Sequence, residues 1–264
     1  MHIDLGGRVA IVTGAGRGIG RALVMRLAHE GVTTVALDVN QSHLDSVGAE
    51  LADAGVPPSS QFVCDVTDMD RVQEVVDEAA RQHGRIDILV NNAGVATGGP
   101  IDTLPVEKWH ACHDVNLTGT FHMCKAVIPA MKKQRSGRII NASSFAAVVP
   151  SVGGAAYASS KAAVAHFTRA IAGELGPWNI TANAYAPGMI PTDMNHFAER
   201  PSEVQDRLLD MLTIRRWETP EDVANLVCFL ASDQAGYITG TLIDVSGGKL
   251  ATQMPRTAYD MSAS

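Results

Sequence analysis

The stretch VTGAGRGIGRALVMRLAHEG, residues 12–31, leaves a β-branched run, crosses four glycines and enters a segment of helical character. Gly14, Gly18 and Gly20 are spaced G-x-x-x-G-x-G, so the literal G-x-G-x-x-G fingerprint of dinucleotide sites fails. The physics survives the change of spacing. Glycine lets the backbone turn sharply and come close to a pyrophosphate, while a helix starting near Gly18 aims its free N–H groups and positive dipole end at that phosphate. An ordinary tight turn also uses glycine, but Gly14, Gly18 and Gly20 within seven residues directly after the first strand favour a dinucleotide. Gly14, Arg17, Gly18, Ile19 and Gly20 are therefore candidate cofactor-binding residues.

Asp38 ends the next β-branched run, eighteen residues beyond Gly20, where a carboxylate can accept hydrogen bonds from the adenosine ribose hydroxyls. It would repel a 2′-phosphate, which favours NAD over NADP. Arg17 is the opposing signal, a cation able to pair with that phosphate if it swings toward the ribose. The strand-end position of Asp38 is fixed by the backbone, whereas Arg17 is long and can point to solvent, so NAD is expected.

Outward from this turn, RVAIVTG, TTVALD, QFVCD, DILVNNAG, GRIINASS, NITANAYAPG and TLIDVSGG alternate with helical patterns at about 18–30, 41–53, 68–83, 107–134, 155–175 and 219–232. Repeated βα units imply a mostly parallel, seven-stranded, doubly wound α/β sheet of Rossmann type with helices on both faces. No Pro- or Ser-rich linker interrupts the alternation, so residues 1–264 are expected to form one dinucleotide-binding and catalytic domain. The irregular segment 188–217 is a candidate substrate lid, and 249–264 a C-terminal tail that packs on a neighbour or frays.

Composition narrows the partners. A formal charge of -7 argues against nucleic acid and anionic membrane surfaces, and no apolar run is long enough to span a bilayer. The opening MHIDLGGRVAIVTG lacks a basic and then apolar leader pattern, so a soluble cytoplasmic protein is expected. Cys64, Cys112, Cys124 and Cys228 are far apart and read as buried reduced thiols; the nine histidines do not cluster, so no metal is expected.

GGAAYASSKAAVAHF, residues 153–167, places Tyr157 and Lys161 four apart, on one face of a helix. A free tyrosine has a pKa of about 10 and is a poor base at neutral pH. An ammonium one turn away stabilises the phenolate, so Tyr157 could exchange a proton with an alcohol or ketone oxygen as hydride moves. Lys161 could also bridge the nicotinamide ribose hydroxyls. Ser144, thirteen residues before Tyr157, could donate to the substrate oxygen; adjacent Ser143 should face elsewhere by the period-two rule.

TGAGRGIG at 13–20, CDVTD at 64–68, NNAG at 91–94, Asn116 in DVNLTG, the serines at 143–144, Tyr157 with Lys161, and PGMIPT at 187–192 occur in this order along nearly the whole chain. In this the sequence resembles the short-chain dehydrogenases/reductases. The resemblance implies that Asn116, Ser144, Tyr157 and Lys161 are catalytic, Asn116 holding a water that connects Lys161 to solvent. It implies that Asp65 contacts adenine with Val66 beside it, and that the segment from Asn91 through Asn92 and Ala93 to Gly94 stabilises the sheet next to the cofactor. Pro187 and Gly188 would lie at the same site, with Ile190 and Thr192 holding the nicotinamide carboxamide.

The reading is an NAD(H)-dependent oxidoreductase interconverting a secondary alcohol and a ketone. The rivals are an NADPH-dependent 3-oxoacyl-thioester reductase, suggested by YITGTLIDVSGG; a sugar-nucleotide epimerase, disfavoured by length and glycine spacing; and a dinucleotide-sensing protein without turnover. An apolar pocket would draw on Val95, Ala96, Phe145, Val148, Val149, Met189, Met194, His196, Phe197, Met211 and Leu212. Apolar Ala162, Ala165 and Phe167 on a helix expected to lie outside the sheet imply a homo-oligomer, a tetramer by resemblance.

Overall fold

The computed structural model describes residues 3–192 and 197–262. Seven strands form one parallel sheet in the order β3-β2-β1-β4-β5-β6-β7. They are β1 Val9–Thr13, β2 Thr33–Asp38, β3 Ser60–Val63, β4 Ile88–Asn91, β5 Gly137–Ala142, β6 Ile180–Pro187 and β7 Leu242–Val245. All residues of β1, β4 and β5 are buried, as required of strands covered on both faces.

One layer of core joins the sheet to α1 (Gly18–His29), α2 (Gln41–Asp53) and α8 (Pro220–Ala231) through residues such as Leu23, Leu27, Leu44, Val223 and Val227. The opposite layer packs α3 (Met69–His83), α5 (Gly119–Gln134) and α6 (Ala155–Leu175) through Val75, Val76, Met123, Val127 and Ile171. Strand order reverses between β1 and β4, and ligands in such sheets bind in the crevice beyond the strand ends at that reversal.

The helix expected over 107–134 is broken. α4 (Val106–His113) passes through a π-helical turn, Asp114–Thr118, before α5 begins. The extra residue in that turn re-aims Asn116, which is fully buried. Ala165, expected at an exposed face, is buried at 8% relative exposure, while Phe167 is half-buried edge-on to Phe121 with centroids 6.4 Å apart.

The segment after β6 contains α7 (Ser202–Leu209), and the chain's last described helix is α9 (Arg256–Ser262). The tail folds back on its own chain. Tyr259 Oη donates to Thr213 O at 2.8 Å and accepts from Arg215 N at 3.1 Å, and Arg256 pairs with Asp210 at 3.0 Å. Among the described residues no helix is long and apolar enough to cross a membrane.

Candidate active site

The site begins at the turn after β1. Gly14 and Gly18 have φ of +61° and +53°, a region that L side chains rarely adopt, and a Cβ on Gly14 would lie 2.9 Å from Ala93 Cα. At the head of α1, Arg17 stands at the N-cap without a side-chain capping bond and no acid occupies the first turn. By contrast, Asn40, Asp68 and Thr219 cap α2, α3 and α8 with their side chains. The first N–H groups of α1 thus remain directed at the crevice, as an anion site requires.

Asp38 closes the turn from the next strand. Its carboxylate accepts from Gly16 N at 2.9 Å and from Asn40 N at 3.0 Å, and a Cβ on Gly16 would sit 2.9 Å from its Oδ2. The carboxylate expected to meet a ribose therefore also braces the glycine turn.

These elements wall a cavity of about 640 Å³, within the range that binds small organic ligands. Gly14, Arg17, Gly18, Ile19 and Asp38 line one end. Asp65, Val66, Asn92, Ala93 and Gly94 line the side beneath β3 and β4, and Pro187, Gly188, Ile190 and Thr192 approach from the end of β6. Ser144, Tyr157 and Lys161 complete it. An elongated backbone-lined cavity with an acid at one end and a tyrosine–lysine pair in its wall fits a nicotinamide dinucleotide.

Two expected residues stand behind the wall. Gly20 is buried against the turn, where a Cβ would lie 1.9 Å from Gly14 O, so it is required by packing. Asn116 Oδ1 accepts from Val95 N at 2.8 Å, and its Nδ2 donates to Val95 O at 3.0 Å and Ser160 Oγ at 2.9 Å. A Cβ on Gly94 would come within 3.1 Å of Asn116 Oδ1 and 3.2 Å of Lys161 Nζ, so these three groups pack as one block.

At the chemical end, Ser144 and Tyr157 line the same cavity. Ser144 is held by accepting from Ala146 N at 3.1 Å. Ser143 points elsewhere, donating to Lys161 O at 2.9 Å. Lys161 Nζ donates to Ala142 O at 2.9 Å and lies 5.9 Å from the Tyr157 ring centroid. Burial pushes the Lys161 ammonium down to about 8. Burial also raises the Tyr157 phenol above its usual value, and the nearby Ser144 hydroxyl opposes this. The sequence led us to expect the ammonium to dominate; desolvation outweighs it.

The sequence reading missed several neighbours. Tyr185, fully buried, donates to Asn92 Oδ1 at 3.1 Å, and Asn92 in turn donates to Thr13 O and Gly14 O at 3.1 and 3.2 Å. Cys112 lies four residues before Asn116, a spacing that could have marked it. Glu218 accepts from Gly188 N at 2.5 Å and its own N–H donates to Met189 O at 3.1 Å, which ties down the segment that reaches the cavity. Burial raises the Glu218 carboxyl to about 8. Of the apolar pocket candidates, Val95 lines the cavity, Val148 and Val149 are exposed, Met189 and Leu212 are buried, and Phe197 stacks on Trp217 at 5.7 Å. Met194 and His196 lie outside the described residues.

The family model described as Enoyl-(Acyl carrier protein) reductase matches residues 14–249. A 3-oxoacyl-[acyl-carrier-protein] reductase of Thermotoga maritima is 40% identical over 245 residues, covering 92% of this chain and 98% of its own. Among solved structures, an NAD+-bound xylitol dehydrogenase superposes with a TM-score of 0.88 at 33% identity, covering 93% of this chain and 100% of its own. A Beutenbergia cavernae protein described as an NAD(P)-dependent gluconate 5-dehydrogenase, with NADP at low occupancy, gives 0.89 at 35% identity and coverages of 94% and 99%. Similarity sustained from the glycine turn to the last strand, on the same seven-stranded frame, means that the chain belongs to the short-chain dehydrogenases/reductases, NAD(P)-dependent oxidoreductases acting on CH–OH and C=O groups.

Proposed function

We propose that the protein interconverts a secondary alcohol and a ketone with NAD(H), Tyr157 serving as general acid/base. The observation that carries this reading is Tyr157 with Ser144 and the buried Lys161 together in the wall of a dinucleotide-sized cavity. Gly14, Gly18, Asp38, Ile190 and Thr192 would hold a nicotinamide dinucleotide there, and it would supply the hydride acceptor for oxidation or the hydride donor for reduction. Tyr157 takes the hydroxyl proton during oxidation and gives it back during reduction. Ser144 donates to the substrate oxygen as negative charge develops on it. Lys161 keeps a positive charge near the phenol and holds the nicotinamide ribose, and Asn116 fixes Lys161 through Gly94 and Ser160.

Asp38 supports NAD over NADP, since a 2′-phosphate would meet its carboxylate. The solved neighbours are named for a polyol and a sugar acid, which supports an oxygen-rich secondary alcohol. The identity to the Thermotoga protein favours a second reading, reduction of a 3-oxoacyl thioester. We read residues 1–264 as one catalytic domain, with 188–217 closing over the substrate and 249–264 as its tail. The four buried free cysteines support a reducing, cytoplasmic location, and Phe121, exposed on α5 beside Phe167, supports a homotetramer.

The test is reduction of NAD⁺ followed at the nicotinamide absorbance band, over secondary alcohols, polyols and hydroxyacyl thioesters. Tyr157→Phe should lower turnover by at least ~10²-fold while cofactor affinity stays near native. Near-native turnover in that variant would rule out the mechanism, and turnover of hydroxyacyl thioesters alone would select the second reading.

A further inference from the structure

The main chain beyond β7 is fixed in place before it reaches Lys249. Gly247 and Gly248 adopt φ of +67° and +79°, and a Cβ on Gly248 would lie 2.6 Å from Thr213 Cβ. Ile214 N donates to Gly247 O at 2.8 Å, Thr213 Oγ1 donates to Gly248 O at 3.0 Å, and Lys249 N donates to Ser246 Oγ at 3.2 Å. These bonds give the lysine side chain a defined direction.

Its ammonium is carried beside Phe145, the residue after the cavity-lining Ser144. Lys249 Nζ lies 4.9 Å from the ring centroid of Phe145 and 3.8 Å from Met211 Sδ. Phe145 directly follows Ser144, which lines the cavity with Tyr157. The lysine is half-buried, and burial lowers its pKa. Among the described residues it forms no ion pair. Its neighbours are an aromatic face and a thioether, both soft and uncharged. Such partners compensate a desolvated ammonium incompletely, and charges withdrawn from water are ordinarily paired.

We propose that Lys249 is a substrate-binding residue that pairs with a carboxylate of the substrate. This deepens the alcohol–ketone reading above and rests on it. The alcohol oxidised is then a hydroxy acid and the product its oxo acid. The carbinol C–H bond breaks with its electron pair going to the nicotinamide, the O–H proton goes to Tyr157, and the carboxylate passes through unchanged. One ammonium offers a single charge and three donors, matched to a carboxylate.

The experiment compares acids with neutral partners in which the carboxylate is replaced by CH₂OH: D-gluconate with D-sorbitol, and 3-hydroxybutyrate with 1,3-butanediol. Native protein, Lys249→Gln and Lys249→Arg are assayed with NAD⁺. The native protein should prefer the acid of at least one pair. Lys249→Gln should lower kcat/KM for that acid by roughly 10- to 100-fold, mainly through KM, and leave the neutral partner unchanged; Lys249→Arg should retain most of the acid activity. Equal losses on acid and neutral partner would make Lys249 a packing residue and overturn the proposal. Turnover of neutral members alone would overturn it while leaving the alcohol–ketone reading intact. No turnover in any pair would overturn both for this substrate range.

Discussion

Tyr157 and Lys161 were visible in the sequence because a helix turns i and i+4 to one side, and the distinction between Ser143 and Ser144 followed from strand alternation. Glu218 was not visible, since its environment is made by a segment thirty residues earlier: Gly188 and Met189 fold onto it, and no local pattern announces that burial. Its carboxyl titrates at about 8 in the folded protein against an ordinary 4.5. The native state therefore holds a proton that the unfolded chain releases between those values. Stability from this group is fully present below about 4.5 and is lost as pH rises through about 8, with a slope of at most ~1.4 kcal/mol per pH unit. Glu218→Gln should remove that dependence, so the difference in Tm between variant and native should grow in the variant's favour from pH 5 to 9; a constant difference would refute it. Asp38 has two tasks, one structural and one electrostatic, and an amide separates them. Asp38→Asn can keep acceptance from Gly16 N through its one amide oxygen, gives up that from Asn40 N and loses the charge, so the ratio of kcat/KM for NAD to that for NADP should fall about tenfold or more. An unchanged ratio would show that Asp38 does not select the cofactor.

At the scale of elements, strands and helix limits were readable because each strand is short, β-branched and punctuated. The π-helical turn at Asp114–Thr118 was not, since apolar spacing continues through it on both sides and only the contact of Asn116 with Val95 reveals the added residue. Glycine repeats were legible as a group but not in their separate duties. Gly20 and Gly173 sit in helices under opposite conditions: a methyl on Gly20 would strike Gly14 O, whereas one on Gly173 in α6 meets nothing within 4 Å. Gly20→Ala should displace the turn and weaken cofactor binding together with thermal stability. Gly173→Ala should raise stability by about 0.5–1 kcal/mol with unchanged kinetics, because it removes only unfolded-chain freedom. Thermal melts with and without NAD⁺ check both, and a Gly20→Ala protein that behaves as native would invalidate the close-packing account.

For the whole molecule, alternation and the absence of a linker pointed to the doubly wound sheet, and its strand order matches the expected crevice. What composition could not show is which apolar residues a single chain already covers. Ala165 is covered, while Phe121 keeps 44% exposure beside Phe167. That remaining face should be satisfied by a second copy, so light scattering at micromolar protein should give a tetramer, and Phe121→Glu should lower the mass; a native monomer would contradict this. The return of the C-terminal helix onto residues 206–215 through Tyr259 and Arg256 has a practical side. It works as a strut between the last described helix and the 206–215 segment. A fusion partner or surface tether attached at the C-terminus pulls on that strut, and its load reaches residues 206–215. One attached at the N-terminus, on the approach to β1, leaves the strut slack, which makes the N-terminus the proper handle for immobilising a working enzyme.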